Sequence, residues 1–156
     1  MSDPHPLHGN GGPSPCDGDA ARPRRVVLVA VGQLDLRARV AARYASLVPA
    51  GERRAVHVDV DQRSSHGLGL AWLESQPGLP LEVLDDEGGV ATTIAAAVER
   101  SLASGADEAV VIVGSLAVRG LGRGSLHDAT ADEITRAVSR VPGALGLQVP
   151  IAGVAS

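Results

Sequence analysis

The residues best suited to chemistry lie in one glycine-rich stretch that begins at the end of an apolar segment. Glycines let backbone N–H groups approach a phosphate, and the start of a following helix adds positive potential. Arginine side chains in the stretch could pair with phosphate oxygens. The same composition also suits a flexible connection between a strand and a helix. The stretch predicts a site for a small anionic ligand, with these candidate binding residues: Gly114, Arg119, Gly120, Gly122, Arg123, Gly124, Ser125 and His127.

Two acidic segments contain the residue types that hold metal ions. Asp59 and Asp61 form a D-x-D pattern, and Asp85, Asp86 and Glu87 follow another apolar segment. Both patterns are short, and a solvated strand end and an acidic loop account for them. We therefore predict no metal site.

A catalytic nucleophile paired with a base is not visible in the sequence. Ser115 and Ser125 each follow a glycine, but neither completes the G-x-S-x-G pattern. The chain has no lysine, which excludes a Schiff-base or P-loop lysine. His57 alternates with apolar residues, and we interpret it as a buried or half-buried, hydrogen-bonded histidine rather than a base. The sequence predicts no catalytic residue and a protein that is not an enzyme.

Composition limits the partners and the compartment. The 156 residues carry a net charge of −4 without a basic block, which argues against general binding to nucleic acid. No apolar run reaches the roughly 20 residues of a membrane span, so we predict no membrane insertion. A single cysteine, Cys16, and no secretory signal favour a cytoplasmic protein. Residues 1–24 are rich in proline and glycine and predict a disordered tail before one domain over residues 25–156.

Five short apolar runs, each followed by helix-forming sequence, indicate the architecture. A strand that is apolar on both faces must be covered on both faces, which is the condition of a parallel sheet between helices. We therefore predict an α/β domain with a five-stranded, doubly wound parallel sheet in the order 3-2-1-4-5. The predicted strands are Arg25–Val31, Ala55–Val60, Leu79–Leu84, Glu108–Ser115 and Val149–Val154.

Helical spacing of apolar residues places helices between these strands. The first helix is predicted over about residues 35–48, and the second is a short helix around residues 68–74 that carries Trp72. The third follows Gly89, and the last begins near either Ser125 or Thr130. The predicted apolar face of the first helix consists of Leu36, Val40, Tyr44 and Leu47.

Several short strings along the chain resemble one known family. From Arg25 to Ser156 the chain resembles the universal stress protein, or adenine nucleotide hydrolase-like, fold. Within that fold it is most similar to the cytosolic C-terminal domain of bacterial amino-acid permeases of the APC type. The residues that carry the resemblance are AVHV at 55–58, Trp72 before a turn, PLEVL at 80–84, LHDAT at 126–130 and a V-P pair at 149–150.

The resemblance implies a cytoplasmic regulatory or ligand-sensing domain with a role in stress response. Nucleotide-binding stress proteins carry G-x-x-G, nine further residues and G-S/T. Here Gly114 and the Gly124-Ser125 pair fit, Ala117 replaces the second glycine, and the loop is shorter. No cofactor is identified, and ATP is the one that this degenerate motif leaves open. The alternative is an adenine-nucleotide (ATP or AMP) binding stress protein that uses the Gly120–Ser125 loop.

The final strand is predicted to join two copies of the chain. Val149–Val154 is uncharged and lies at a sheet edge in the predicted order, and an apolar edge strand favours pairing with another chain. Stress-family domains pair through their final strands, so the resemblance implies the same. We predict a homodimer through Val149–Val154, with apolar surface added by Leu145 and Leu147.

Overall fold

The computed structural model describes residues 22–75, 78–117 and 129–152. Its centre is a five-stranded sheet in the order β3-β2-β1-β4-β5, and every neighbouring pair of strands is parallel. This confirms the predicted fold class and strand order. The strands are β1 (Arg25–Ala30), β2 (Glu52–Asp59), β3 (Leu81–Asp85), β4 (Glu108–Ala117) and β5 (Ala144–Ala152).

Within the described residues, four helices alternate with the strands and cover both faces of the sheet. Core side chains of the first two helices pack on one face, and those of the last two pack on the other. The helices are α1 (Leu36–Leu47), α2 (Gln62–Ser75), α3 (Val90–Ala103) and α4 (Ala129–Val138). Among the described residues, no helix combines the length and the hydrophobicity needed to cross a membrane. The predicted tail lies almost wholly outside the described residues, so the division at residue 24 stays a prediction.

The buried face of α1 differs from the predicted one. Leu36, Tyr44 and Leu47 are exposed, with 61%, 45% and 74% of their surface accessible. The helix instead buries four alanines, Ala38, Ala41, Ala42 and Ala45. Small side chains allow α1 to lie close against the sheet, whereas the larger residues of the predicted stripe would hold it away.

Two element boundaries also differ from the predicted ones. The second helix starts at Gln62 rather than near residue 68, because Asp61 caps it and the two helical glycines do not interrupt it. The last strand starts at Ala144, five residues before the predicted start. Gly146 and Gln148 interrupt its apolar pattern, but Gly146 is required there, since a Cβ would lie 2.9 Å from Thr135 Cα.

Candidate functional site

A cleft opens at the carboxyl edge of the sheet, between the ends of β1 and β4. The chain leaves β1 toward β2 on one side and returns to β4 on the other, so this gap is the point where the strand order reverses. Parallel α/β sheets bind their ligands at this position. The cavity measures about 270 Å³. Its polar or glycine lining residues are Gly32, Gln33, Asp35, Arg37, His57, Gly114 and Thr130.

One wall of the cleft is the start of α1. Asp35 caps this helix, because one carboxylate oxygen accepts the Ala38 N–H at 3.1 Å. The other oxygen accepts from Arg37 Nε at 2.7 Å. Partial burial raises the pKa of Asp35, but hydrogen bonds from Arg37 and from Ala38 outweigh it and leave the pKa below its ordinary value. An ionised carboxylate and a guanidinium therefore stand together at the mouth of the cleft.

Gly114 lies on β4 at the floor of the cleft, directly beneath the first turn of α1. A Cβ at this position would lie 2.5 Å from the Arg37 carbonyl oxygen and 2.8 Å from the Arg37 carbonyl carbon. The packing of α1 against β4 thus requires glycine whether or not a ligand binds. The predicted role of Gly114 in binding a cofactor stays a prediction.

A buried polar chain connects the ends of β1 and β2 to α2. His57 Nδ1 lies 2.8 Å from the Val31 carbonyl oxygen, and His57 Nε2 lies 3.0 Å from Ser65 Oγ. Ser65 Oγ in turn lies 2.6 Å from a carboxylate oxygen of Asp59. His57 and Ser65 are each only 6% exposed. The prediction that His57 is a buried, hydrogen-bonded histidine is confirmed.

The two acidic segments have partners within the fold. Asp61 accepts from the Ser64 hydroxyl and the Arg63 N–H, which lowers the pKa of this carboxylate. Asp86 accepts the backbone N–H groups of the two glycines that follow in the loop. Across residues 22–75, 78–117 and 129–152, no three His, Cys, Asp or Glu side chains form a group that could hold a metal ion.

Of the eight predicted binding residues, the structure places one at the cleft. This residue is Gly114, and the other seven lie outside the described residues: Arg119, Gly120, Gly122, Arg123, Gly124, Ser125 and His127. The sequence analysis missed Asp35 and Arg37 as lining residues. Their signal was an acidic residue directly before the first turn of a helix that follows a buried strand.

A larger cavity, of about 970 Å³, lies at the opposite edge of the sheet. Arginines line it, but acidic side chains already balance several of them. Arg25 pairs with Glu108 at 2.7 Å. Arg54 pairs with Glu52, and its Nε lies 2.7 Å from Glu82 without the alignment of a hydrogen bond. Because this cavity lies at the amino ends of the strands and several of its arginines are already paired, we assign the candidate site to the smaller cleft.

The comparisons with known proteins identify a transporter family. The family model for the KimA potassium transporter C-terminal domain matches residues 22–151. The chain therefore belongs to this family, and the predicted relation to a permease C-terminal domain is confirmed at that level. No curated protein matches the chain.

Proposed function

We propose that this member of the KimA potassium transporter C-terminal domain family is a cytoplasmic, non-enzymatic regulatory domain of universal stress protein type. The observation that carries the proposal is the family match over residues 22–151, together with the cleft at the reversal of strand order. The domain would sense a small ligand in that cleft and alter transport through its contacts with the transporter.

The cleft has the composition of a binding site rather than of a reaction centre. The Gln33 amide and the Asp35–Arg37 pair supply hydrogen-bond donors and acceptors at its mouth. His57 is the one histidine among the described residues that line the cleft, and both of its ring nitrogens are engaged within the fold. Such an arrangement can orient a ligand, and the lining residues that the structure describes offer no nucleophile next to a base.

The purified chain should bind without turning over what it binds. We expect native mass spectrometry of the chain as purified, and calorimetric titration with ATP, AMP and inorganic phosphate, to detect ligand but no hydrolysis product. Chemical-shift changes should include the amides of residues 32–37 and of Gly114. Steady release of ADP or phosphate from ATP would contradict the proposal.

The second candidate function is adenine-nucleotide binding through the Gly120–Ser125 loop. It is favoured by the position of the cleft, since β4 leads from the cleft floor at Gly114 into this part of the sequence. Replacing both Arg119 and Arg123 by alanine should abolish ATP binding while leaving the melting temperature unchanged. If this variant binds ATP with the affinity of the wild type, the loop is not the site. If the wild type binds no ATP at millimolar concentration, this second function is wrong.

The proposed partner is a second copy of the chain, joined through the edge strand β5. Leu147 and Val149 pack partly against the core under α1, whereas Leu145 is 51% exposed on the same strand. An exposed apolar residue on an edge strand favours pairing between chains. The homodimer would therefore use Leu145 together with the backbone of Val149 and its neighbours.

Sedimentation velocity tests this assembly with a matched pair of variants. Leu145→Asp should convert a wild-type dimer to a monomer, because a carboxylate would be placed in the interface. Val83→Asp alters a similarly exposed residue, 48% accessible, on the opposite edge strand β3 and should leave the dimer intact. A wild-type chain that stays monomeric at high micromolar concentration would rule out the dimer.

A further inference from the structure

A series of contacts runs from the Val31 carbonyl through His57 and Ser65 to Asp59, and it needs one more proton than these groups ordinarily hold. It has three contacts, from the Val31 carbonyl to His57, from His57 to Ser65, and from Ser65 to Asp59, at 2.8, 3.0 and 2.6 Å. Each length is that of a hydrogen bond, so each contact requires one hydrogen. A neutral imidazole supplies one, a hydroxyl supplies one, and an ionised carboxylate supplies none.

The groups at the two ends of this series of contacts, the Val31 carbonyl and the Asp59 carboxyl, limit where the hydrogens can lie. The Val31 carbonyl can only accept, so His57 Nδ1 must carry a hydrogen. If the Ser65 hydroxyl donates to Asp59, then His57 Nε2 must also carry one, and the ring is an imidazolium. If the hydroxyl donates to His57 Nε2, then Asp59 must be a carboxylic acid. Without either proton, two lone pairs would face each other at 3.0 Å between the buried His57 and Ser65, or at 2.6 Å between Ser65 and the half-buried Asp59, which is costly.

We propose that His57, Ser65 and Asp59 form a proton-binding site that fastens α2 to the sheet. The bound proton is shared within the cluster, and the cluster is one charge more positive with it than without it. Ser65 is one of only three buried residues of α2, together with Leu68 and Trp72. Loss of the proton therefore breaks one of the few contacts that hold the start of α2.

The surroundings of the cluster contain charges of both signs. Asp85 is the register partner of Asp59 on β3, and its carboxylate favours the added positive charge. Arg37 opposes it from the cleft, but this guanidinium is paired with Asp35. Among the described residues, Asp61, Arg63 and His66 are further titratable or charged groups near the start of α2.

The sign of the pH dependence follows from the proton count. In an unfolded chain a histidine is neutral above pH of about 6.5, and an aspartate is ionised above about 3.9. The folded chain keeps one proton that the unfolded chain has released, so stability falls as the pH rises from about 6.5. The contribution is fully present below the pKa of an unfolded histidine and is lost once the folded cluster gives up its proton.

Nuclear magnetic resonance of the 156-residue chain at pH 7.5 tests the proposal directly. We expect either both ring nitrogens of His57 to be protonated or the Asp59 carboxyl to show the carbon shift of the acid. Finding His57 with one ring proton and Asp59 ionised at that pH would overturn the proposal. This measurement uses the wild type alone and does not depend on the stability of any variant.

Asp59→Asn provides a matched control, because the amide N–H can donate to Ser65 Oγ and supply the missing hydrogen. In this variant His57 should be neutral at pH 7.5. The melting temperature of the wild type should fall between pH 6.5 and 9 by at least about 2 °C more than that of the variant. Equal slopes for the two proteins would also overturn the proposal.

Discussion

Replacing Gly114 by alanine should destabilise the domain strongly. The new methyl carbon would lie 2.5 Å from the Arg37 carbonyl oxygen and 2.8 Å from two further Arg37 atoms, two of the three being backbone atoms. Neither element can move away to relieve this contact, because β4 is hydrogen-bonded to a strand on each side and α1 buries four alanines against the sheet. We expect a loss of about 3 kcal/mol in the free energy of unfolding, the upper part of the range for overpacked cores.

Denaturant unfolding measures this loss, and Gly32→Ala is the matched control. Gly32 lines the same cleft, but a Cβ there would meet no atom within 4 Å. This variant should change the free energy of unfolding by no more than about 0.5 kcal/mol. If both substitutions were equally mild, α1 would not pack against β4 as closely as the structure has it.

Replacing Trp72 by alanine should have an effect at least as large. The indole is 3% exposed and fills the space between α2 and the sheet, and its Nε1 donates to the Leu79 carbonyl at 2.8 Å. Removing the ring leaves a cavity and an unpaired carbonyl group, so we expect a loss of about 3–5 kcal/mol. Far-ultraviolet circular dichroism during denaturation measures the change without the tryptophan signal.

A substitution at Leu73, the next residue of the same helix, separates the effect of packing on stability from the effect of helix propensity. Leu73 is 72% exposed, so Leu73→Ala should alter the free energy of unfolding by about 0.5 kcal/mol or less. A similar loss for Trp72→Ala and Leu73→Ala would contradict the placement of α2. The loss in free energy of unfolding for Trp72→Phe should lie between those of the two alanine variants. An aromatic ring remains in this variant, but the hydrogen bond to the Leu79 carbonyl is lost.

The sheet was predictable from the sequence because burial on both faces leaves a continuous apolar run. Each of the five runs became a parallel strand, and the helices between them determine the doubly wound form. The buried face of α1 was not predictable in this way. Its periodicity favoured Leu36, Tyr44 and Leu47, whereas the distance between helix and sheet selects alanine, and that distance is a property of the assembled fold.

The site was predictable only in part. Glycines at the end of the longest apolar run pointed to the carboxyl edge of the sheet, and Gly114 lies there. Asp35 had a local signal as the acidic residue before α1, but the meeting of Asp35, Arg37 and His57 at one cleft depends on which strand ends become neighbours, and no local pattern records that. The extra proton in the His57–Ser65–Asp59 cluster was likewise invisible, because it follows from three distances between residues on different elements.

Transport by the host cell tests the regulatory role most directly. Rubidium uptake, as a tracer for potassium, would be measured in host cells lacking the coding sequence of this chain. It would be measured again after restoring the wild type, the cleft variant Gln33→Leu, or the control Glu99→Gln on an exposed part of α3. We predict that loss of the domain changes the uptake rate or its response to external potassium. The wild type and the Glu99 variant should restore the normal response, and the Gln33 variant should not. Identical uptake in cells with and without the domain would contradict the proposed function.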